Sequence, residues 1–327
     1  NAVAVRNAGV ELALVARVLP ATSKWQWNIN ANISYNKNQI MQLPDGNKTV
    51  VEDNRYLMVG QPINSFRLSQ YNGIYLNEDM IPFDPYTGLK YKNESGQYVQ
   101  VGWADYEDVD KDNQYVSWKD KKPIGDPNPK WVGGLNTNLS YGPWSLFVQT
   151  SFTLGRDILN TQFAKTMAPL SAQYGADEEG VGFSGGPGAN YANPADGHWY
   201  YAEDFVARRM MVDLSRYSFW QKDGDNTNYP SRSQYMNNNN FIERSSLFLE
   251  NGSYLKLNTI MLSYNLDKLK KWGINNARLS LTAENVAIIK SKNTLAADPS
   301  NVSPDGYYTS NGYGLPRKFT IGLMFDF

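Results

Sequence analysis

A twelve-residue stretch near the start of the chain alternates between apolar and polar residues without interruption. In WQWNINANISYN, Trp25 to Asn36, the odd positions carry Trp, Ile, Ala and Tyr, and the even positions carry Gln, Asn and Ser. A period of two places these sets on opposite faces of a β-strand. Trp25, Trp27 and Tyr35 lie at the two ends of the apolar face. This order is typical of a lipid-facing strand whose aromatic residues form girdles at both membrane interfaces.

The length of this strand also favours a membrane barrel. Ten rises of about 3.3 Å, tilted by about 40°, project to roughly 25 Å along the membrane normal, which is the height of the apolar band in such barrels. The alternative is a long strand of a soluble β-sandwich, although strands in soluble proteins usually have about five or six residues.

Seven further segments predict strands, which gives about eight in total. They are residues 10–19, 63–76, 135–141, 144–154, 257–266, 277–284 and 318–327. Alternation is weak in the segment 63–76, and a change of register predicts a bulge near Asn258. Two of the connections are short turns, whereas residues 77–130 and 155–251 form very long loops. Short turns at one end and long loops at the other are typical of bacterial outer-membrane barrels.

Composition excludes several other classes of protein. No apolar run approaches the roughly 18 residues that a membrane helix needs, so we do not expect helical spans. The net charge of −1 gives no basic field for nucleic acid. The chain has no cysteine and therefore no disulfide, thiolate metal site or thiol nucleophile.

Eight strands alone would enclose only their own side chains, whereas the long loops and polar faces suit a wider pore. We therefore expect these strands to be the last part of a larger barrel.

Six stretches of the sequence resemble the SusC-like TonB-dependent transporters of Bacteroidota outer membranes. The matching stretches are RNAGVEL (6–12), VGQPINSF (59–66), IGDPNPKWVGGLNTNLSY (124–141), SLFLENGSYLKLNTIMLSYNL (246–266), AEN (283–285) and YGLPRKFTIGLMFDF (313–327). They follow the family's order over almost the whole chain. The resemblance identifies the family and carries almost no information about the substrate.

The resemblance implies an all-β, antiparallel transmembrane barrel of 22 strands around an N-terminal plug, in which residues 1–327 are the C-terminal portion. The plug and the TonB-contacting segment would then precede Asn1. The implied function is TonB-dependent import of glycan fragments or peptides through the outer membrane, with a SusD-like surface lipoprotein as partner. The terminal Phe327 resembles the family's aromatic signal for the barrel assembly machinery.

A run of alternating aspartates in the first long loop predicts a possible calcium site. Asp108, Asp110 and Asp112, followed by Asn113, match positions 1, 3, 5 and 6 of an EF-hand-type loop, in which carboxylates provide hard oxygen ligands. The second half departs from that pattern, because position 12 is Lys119 and Asp120 comes one residue late. A solvated acidic loop without metal is the alternative.

The second long loop contains an aromatic cluster, and no catalytic residues are predicted anywhere. Trp199, Tyr200 and Tyr201 could stack on a substrate at the pore mouth, or pack the loop on itself or on the lid protein. The neighbouring His198 is the only histidine of the chain, and no nucleophile motif accompanies it. We therefore expect no enzymatic activity. The alternative function is a secreted, soluble β-rich protein that binds or hydrolyses glycans.

Overall fold

The computed structural model describes residues 3–52, 55–93, 96–116, 118–164, 229–230, 242, 244–266, 276–309 and 315–326. It divides into two compact units. The sheet unit comprises Asn1–Ser65, Gly125–Leu159 and Glu250–Phe327, and the loop unit comprises Phe66–Ile124 and Asn160–Leu249. Within the described residues no helix has the length and apolar character needed to cross a membrane.

Seven long antiparallel strands form the main sheet of the sheet unit. In spatial order they are β1 (Ala4–Arg17), β2 (Trp25–Gln42), β9 (Trp131–Tyr141), β10 (Trp144–Leu154), β13 (Tyr254–Asn265), β14 (Asn276–Lys290) and β15 (Lys318–Asp326). Strands β1 and β15 are its two edges. A two-residue turn joins β9 to β10, and Gly142 adopts there a φ of 55° that favours glycine.

The register keeps one face of this sheet apolar from edge to edge. Ile29 of β2 pairs with Thr137 of β9, which pairs with Val148 of β10, and Ile260 and Ala283 continue the row on β13 and β14. Paired residues of antiparallel strands share a face, so the alternation of each strand extends across the sheet. The opposite face carries mainly Asn, Ser, Thr and Gln.

The predicted bulge is confirmed. Between β10 and β13 the register shifts at Gln149/Thr150, so that Thr259 and Leu257 have partners and Asn258 is the extra residue. On the sheet side where Ile260, Leu262 and Tyr264 lie, the residues beyond the bulge are Leu257 and Leu255. The bulge therefore changes the parity of the alternation and keeps leucine on the apolar face in both halves of the strand.

Shorter elements complete the sheet unit at the end of the long connections. They are a turn at Pro44–Asn47 and the strands β3 (Val50–Glu52), β4 (Arg55–Leu57), β11 (Asp157–Leu159) and β12 (Leu249–Asn251), of which Leu249 belongs to the loop unit. Two small apolar cores form there. One contains Ile40, Leu43 and Leu57, and the other contains Ile158, Ala296 and Tyr308.

The described part of the loop unit is built from strands of three or four residues, short helical turns and irregular segments. Its strands are β5 (Phe66–Leu68), β6 (Tyr71–Ile74), β7 (Ala104–Tyr106) and β8 (Lys122–Ile124), with short helical turns at Glu78–Met80 and Ser246–Phe248. Strand β5 pairs with β8, and β6 pairs with β7. A core of Tyr75, Ile81, Val99 and Trp103 lies in this unit, and the Tyr75 hydroxyl donates a hydrogen bond of 2.8 Å to Asp105.

One segment of the strand prediction differs from the structure. Residues 63–76 contain β5 and β6 rather than one barrel strand, and neither belongs to the seven-stranded sheet. The physical reason lies in the sequence of this segment, because Arg67 and Gln70 interrupt the alternation and Gly73 adopts a φ of 136°.

Candidate functional site

The apolar face of the sheet ends in aromatic rows on both sides. At the short-turn end, Trp25 packs on Tyr141 with ring centroids 4.6 Å apart, and Trp144 packs on Tyr264 at 4.7 Å. At the long-loop end, Tyr35 packs on Trp131 at 4.8 Å. Cross-strand aromatic pairs of this kind stabilise a sheet and also suit the two membrane interfaces. The placement agrees with the predicted girdle, whose contact with lipid remains a prediction.

The region between these rows is apolar and exposed. On the edge strand β15, Phe319 is 73% exposed and Ile321 is 77% exposed. A row of this size in contact with water would be an aggregation site, whereas lipid solvates it well. Thr137 is a polar residue on this face, and its hydroxyl accepts a hydrogen bond of 2.7 Å from the indole N–H of Trp27. That contact provides the indole N–H of Trp27 with a hydrogen-bond acceptor within the girdle.

The opposite face presents uncharged amides and hydroxyls near its centre. Asn28 pairs with Asn138 and Asn30 pairs with Asn136 across β2 and β9. Asn138 accepts a hydrogen bond of 2.8 Å from the Ser145 hydroxyl on β10. Amides both donate and accept hydrogen bonds, so this wall suits hydrated neutral solutes such as sugars and peptide groups.

Residues 291–309, between β14 and β15, form a strap that a charged network joins to β13. The Lys256 ammonium of β13 lies 2.9 Å from the Asp298 carboxylate and 2.9 Å from the Ser300 hydroxyl. The Lys256 and Asp298 side chains are only 9% and 15% exposed. Burial alone would raise the pKa of Asp298, but hydrogen bonds from Ser300 and Lys256 outweigh it and hold that pKa below its ordinary value. No local pattern of the sequence indicates this pair, because 42 residues separate its members.

Two further contacts fix the strap. A carboxylate oxygen of Glu250 accepts hydrogen bonds from the backbone N–H groups of Leu295, at 3.0 Å, and Ala296, at 2.9 Å. The Arg156 guanidinium donates to the Pro299 carbonyl and lies 5.6 Å from the ring centre of Tyr254. The strap is therefore held by contacts from β12, from β13 and from Arg156, just before β11.

The acidic loop of the loop unit brings three carboxylates together. Oxygen atoms of Asp108, Asp110 and Asp120 lie within 4.8 Å of one another. The Asp108 carboxylate accepts backbone hydrogen bonds from Lys111, at 2.7 Å, and Asn113, at 2.9 Å. Lys111 and Asn113 have φ values of 59° and 66°, which the tight loop requires. The donors are hard oxygens, so their type fits Ca²⁺, which takes six to eight oxygen ligands.

The structure groups a different third carboxylate from the one that the sequence predicts. Asp112 lies 2.8 Å from the Lys119 ammonium, and this hydrogen bond lowers the pKa of Asp112. Asp120 is fully buried and accepts backbone hydrogen bonds from Val109, at 2.8 Å, and Val116, at 2.6 Å. Burial raises the pKa of Asp108. The late carboxylate at position 120 was the signal that could have identified the third group.

The remaining predicted residues cannot be placed. Trp199, Tyr200, Tyr201 and Phe327 lie outside the described residues. Their predicted roles in substrate or lid contact and in barrel assembly stay predictions.

Comparison with known proteins connects this geometry to one family. No protein-family model matches the chain. TonB-dependent receptor P3 of Formosa agariphila is 25% identical over 343 aligned residues, which cover 99% of this chain and 29% of that receptor. TonB-dependent receptor P26 of the same bacterium is also 25% identical, over 100% of this chain and 30% of its own length. This chain is a relative of the TonB-dependent receptors.

Solved structures extend the likeness to the fold. The RagAB peptide importer in its open-open state matches with a TM-score of 0.62 at 20% identity, over 99% of this chain and 29% of the matched chain. A second structure, of the RagAB peptide transporter, matches with a TM-score of 0.62 at 19% identity, over 99% of this chain and 30% of the matched chain. The predicted all-β, antiparallel barrel class is confirmed, with an open sheet in this TonB-dependent receptor relative.

The chain spans about 30% of the length of the curated relatives that it matches. Both relatives are named as receptors, in agreement with the predicted absence of catalysis.

Proposed function

We propose that this chain forms the C-terminal part of an outer-membrane barrel that imports nutrients by TonB-dependent active transport. The observation that carries the proposal is the two-faced sheet, in which an exposed apolar band between aromatic rows lies opposite a wall of uncharged amides. Lipid solvates the first face and water the second. The names of the relatives, TonB-dependent receptors, support energy coupling through TonB.

The transported solute is a glycan fragment or a peptide, and a SusD-like surface lipoprotein is the partner of the barrel in its uptake. The amides of Asn28, Asn30, Asn136 and Asn138 match the hydrogen-bonding groups of both solute classes. The RagAB proteins that share the fold are named as a peptide importer, which supports the peptide alternative and a two-component assembly. The plug and earlier strands would belong to the rest of the protein, and Phe327 would serve the barrel assembly machinery.

The carboxylates of the acidic loop would hold a structural calcium ion. Asp108, Asp110 and Asp120 would provide oxygen ligands that brace the loop between β7 and β8. Such an ion would have no part in the transport step itself.

Membrane fractionation of the full-length protein tests the barrel. We expect extraction only with detergent and loss of the native fold when the detergent is removed. The alternative, a secreted soluble glycan-binding or glycan-hydrolysing protein, predicts a detergent-free monomer, and that result would exclude transport.

Copurification tests the partner and the solute. A tagged full-length protein, isolated in mild detergent, should carry a lipoprotein in a stable complex. Mass spectrometry of the material released from that complex on denaturation distinguishes oligosaccharide from peptide. Isolation of the protein without any lipoprotein, in cells that grow on the transported nutrient, would contradict the proposed partnership.

A further inference from the structure

Two basic side chains interrupt the apolar face of the main sheet. On the seven described strands, the apolar-face positions carry only two charged residues, Arg6 of β1 and Lys37 of β2. Lys37 follows Tyr35 at the same parity of β2, and Arg6 has the parity of Val10, which pairs with Tyr35. Other charges of these strands, such as Lys256, lie on the opposite face. The apolar face therefore carries charge at one place, and that charge is positive.

Arg6 and Lys37 are diagonal neighbours across β1 and β2. Lys37 pairs with Ala8, and Arg6 pairs with Gln39, two residues further along each strand. Diagonal neighbours on one face of an antiparallel pair lie about 7–8 Å apart, within reach of long side chains. Both side chains are exposed, and neither has a hydrogen bond or an ion pair with another residue of the described ranges. Two like charges repel each other, so an anion bound between them would stabilise this part of the sheet.

The aromatic row at the long-loop end gives the depth of the two cations. Tyr35 packs on Trp131 with ring centroids 4.8 Å apart, at the predicted membrane interface. Lys37 lies two residues beyond Tyr35 on β2. At about 3.3 Å per residue and a tilt of about 40°, this is roughly 5 Å further from the middle of the membrane. The headgroup layer on each side of the hydrocarbon is about 5–8 Å thick, so both side chains reach the level of the lipid phosphates.

We propose that Arg6 and Lys37 bind the phosphate of a phosphorylated glycolipid in the outer leaflet of the outer membrane. The outer leaflet is assigned because the long loops of such barrels are extracellular. A phosphate monoester carries a charge of about −1.5 to −2 near neutral pH, which two cations balance. The guanidinium of Arg6 can donate two parallel N–H groups to the phosphate oxygens, and Lys37 adds a second charge. A zwitterionic headgroup such as that of phosphatidylethanolamine has no net charge and matches the pair less well.

The proposal rests on the proposed function, because the apolar face must lie in lipid. Lipid binding to the full-length protein in detergent tests it, with native mass spectrometry as the readout. The probes are lipid A with one phosphate monoester, the same lipid A after removal of that phosphate, and phosphatidylethanolamine. We expect the wild type to bind phosphorylated lipid A at least about tenfold more tightly than Arg6→Gln/Lys37→Gln, because the variant loses two charge-assisted contacts.

Several results would overturn the lipid site. One is equal affinity of the wild type and Arg6→Gln/Lys37→Gln for phosphorylated lipid A. Another is equal affinity of the wild type for phosphorylated lipid A and either of the other two lipids, because the phosphate monoester would then play no part. Displacement of the lipid by an equal concentration of inorganic phosphate would assign the two cations to free phosphate and would also contradict the proposal.

A charge-matched variant and the extraction behaviour complete the test. Arg17→Gln/Lys318→Gln removes the same charge from the opposite face of the sheet and should keep the wild-type affinity for phosphorylated lipid A. An equal loss in this variant would mean that net charge alone determines binding, which overturns the lipid site. Extraction of the wild type without detergent would overturn the proposed function. Detergent-dependent extraction together with unchanged lipid affinity in Arg6→Gln/Lys37→Gln would overturn the lipid site alone.

Discussion

The sheet unit and the loop unit fold by different rules, although they alternate along one chain. The main sheet of the sheet unit has strands of 9 to 18 residues whose alternation determines which face each side chain occupies. In its described residues the loop unit has strands of three or four residues, and its irregular backbone depends on side chains such as Asp108 and Asp120 that accept backbone N–H groups. A periodic pattern therefore controls one unit, and individual polar contacts control the other.

The largest expected effect comes from a substitution in the strap, where an individual polar contact, and not the periodic pattern, stabilises the sheet unit. Asp298→Asn leaves the Lys256 ammonium buried without an anion, which costs about 3–5 kcal/mol for a buried pair. Urea unfolding of the full-length protein in detergent or bilayers measures this loss. The matched control is Glu284→Gln in the exposed pair with Lys318, where we expect under about 1 kcal/mol. Equal losses in the two variants would contradict the assigned role of the strap.

The same pair predicts a loss of stability in acid. The lowered pKa of Asp298 means that its stabilising contribution is fully present above the ordinary pKa of aspartate. The contribution is lost as the pH falls below about 4, through the lowered folded-state value. Comparison of the wild type with Asp298→Asn from pH 7 to pH 3 should show a larger loss of stability in the wild type, because the variant keeps only the contributions of other carboxylates such as Asp112.

Substitutions at two neighbouring positions of β13 test whether the two faces of the main sheet have different environments. Ile260→Arg puts a charge on the apolar face near mid-membrane, at an expected cost of about 2–4 kcal/mol. Thr259→Arg, one residue away, faces the polar side and should cost about 1 kcal/mol or less. The yield of folded barrel in native membranes and its unfolding free energy in bilayers measure both. Similar losses would mean that the two faces do not differ in environment.

Calcium addition tests whether individual polar contacts stabilise the loop unit. It also distinguishes Asp112, the third carboxylate that the sequence predicts, from Asp120, the one that the structure groups with Asp108 and Asp110. At a calcium concentration tenfold above the Kd, binding should stabilise the folded loop by about 1.4 kcal/mol. Asp120→Asn and Asp108→Asn should abolish this gain, whereas Asp112→Asn should retain it. Limited proteolysis with and without calcium provides the readout. Loss of the gain in Asp108→Asn and Asp112→Asn, with retention in Asp120→Asn, would favour the original EF-hand-like assignment.

The smallest expected effects compare a core tyrosine with a surface tyrosine in the loop unit. Tyr75→Phe removes the hydrogen bond to Asp105 and should cost about 1 kcal/mol. Tyr86 is 92% exposed, so Tyr86→Ser should change stability by less than about 0.5 kcal/mol. Protease protection of the loop unit measures both variants. A larger effect at Tyr86 in the assembled complex than in the isolated protein would indicate a partner contact there.

The two rules explain how much the sequence could predict. Strict alternation identified all seven strands of the main sheet and the bulge at Asn258, because a period of two is a local property. The segment 63–76 could not be resolved by the same means, since its two short strands pair with distant partners. The contact between Lys256 and Asp298 depends on chain folding over 42 residues, which no local pattern encodes.

The candidate metal group shows the same limit at shorter range. Asp108 and Asp110 are recognisable from their spacing, which reflects one turn of chain. The choice between Asp112 and Asp120 depends on where Lys119 directs its ammonium, and only the folded loop determines that. The ion pair between Lys119 and Asp112 therefore decides the third carboxylate of the group, and the position of Asp112 in the motif does not.

Because of the bulge at Asn258, the effect of a deletion in β13 depends on where the deletion lies. Deletion of Asn258 alone would remove the bulge and join the two halves of β13 in one continuous alternation, so that Leu255 and Leu257 would stay on the apolar face and Lys256 on the opposite face. Deletion of two adjacent residues from either half would shorten the wall by one pleat and leave every remaining side chain in its original solvent. Away from Asn258, insertions and deletions in this strand should therefore be tolerated by parity rather than by size.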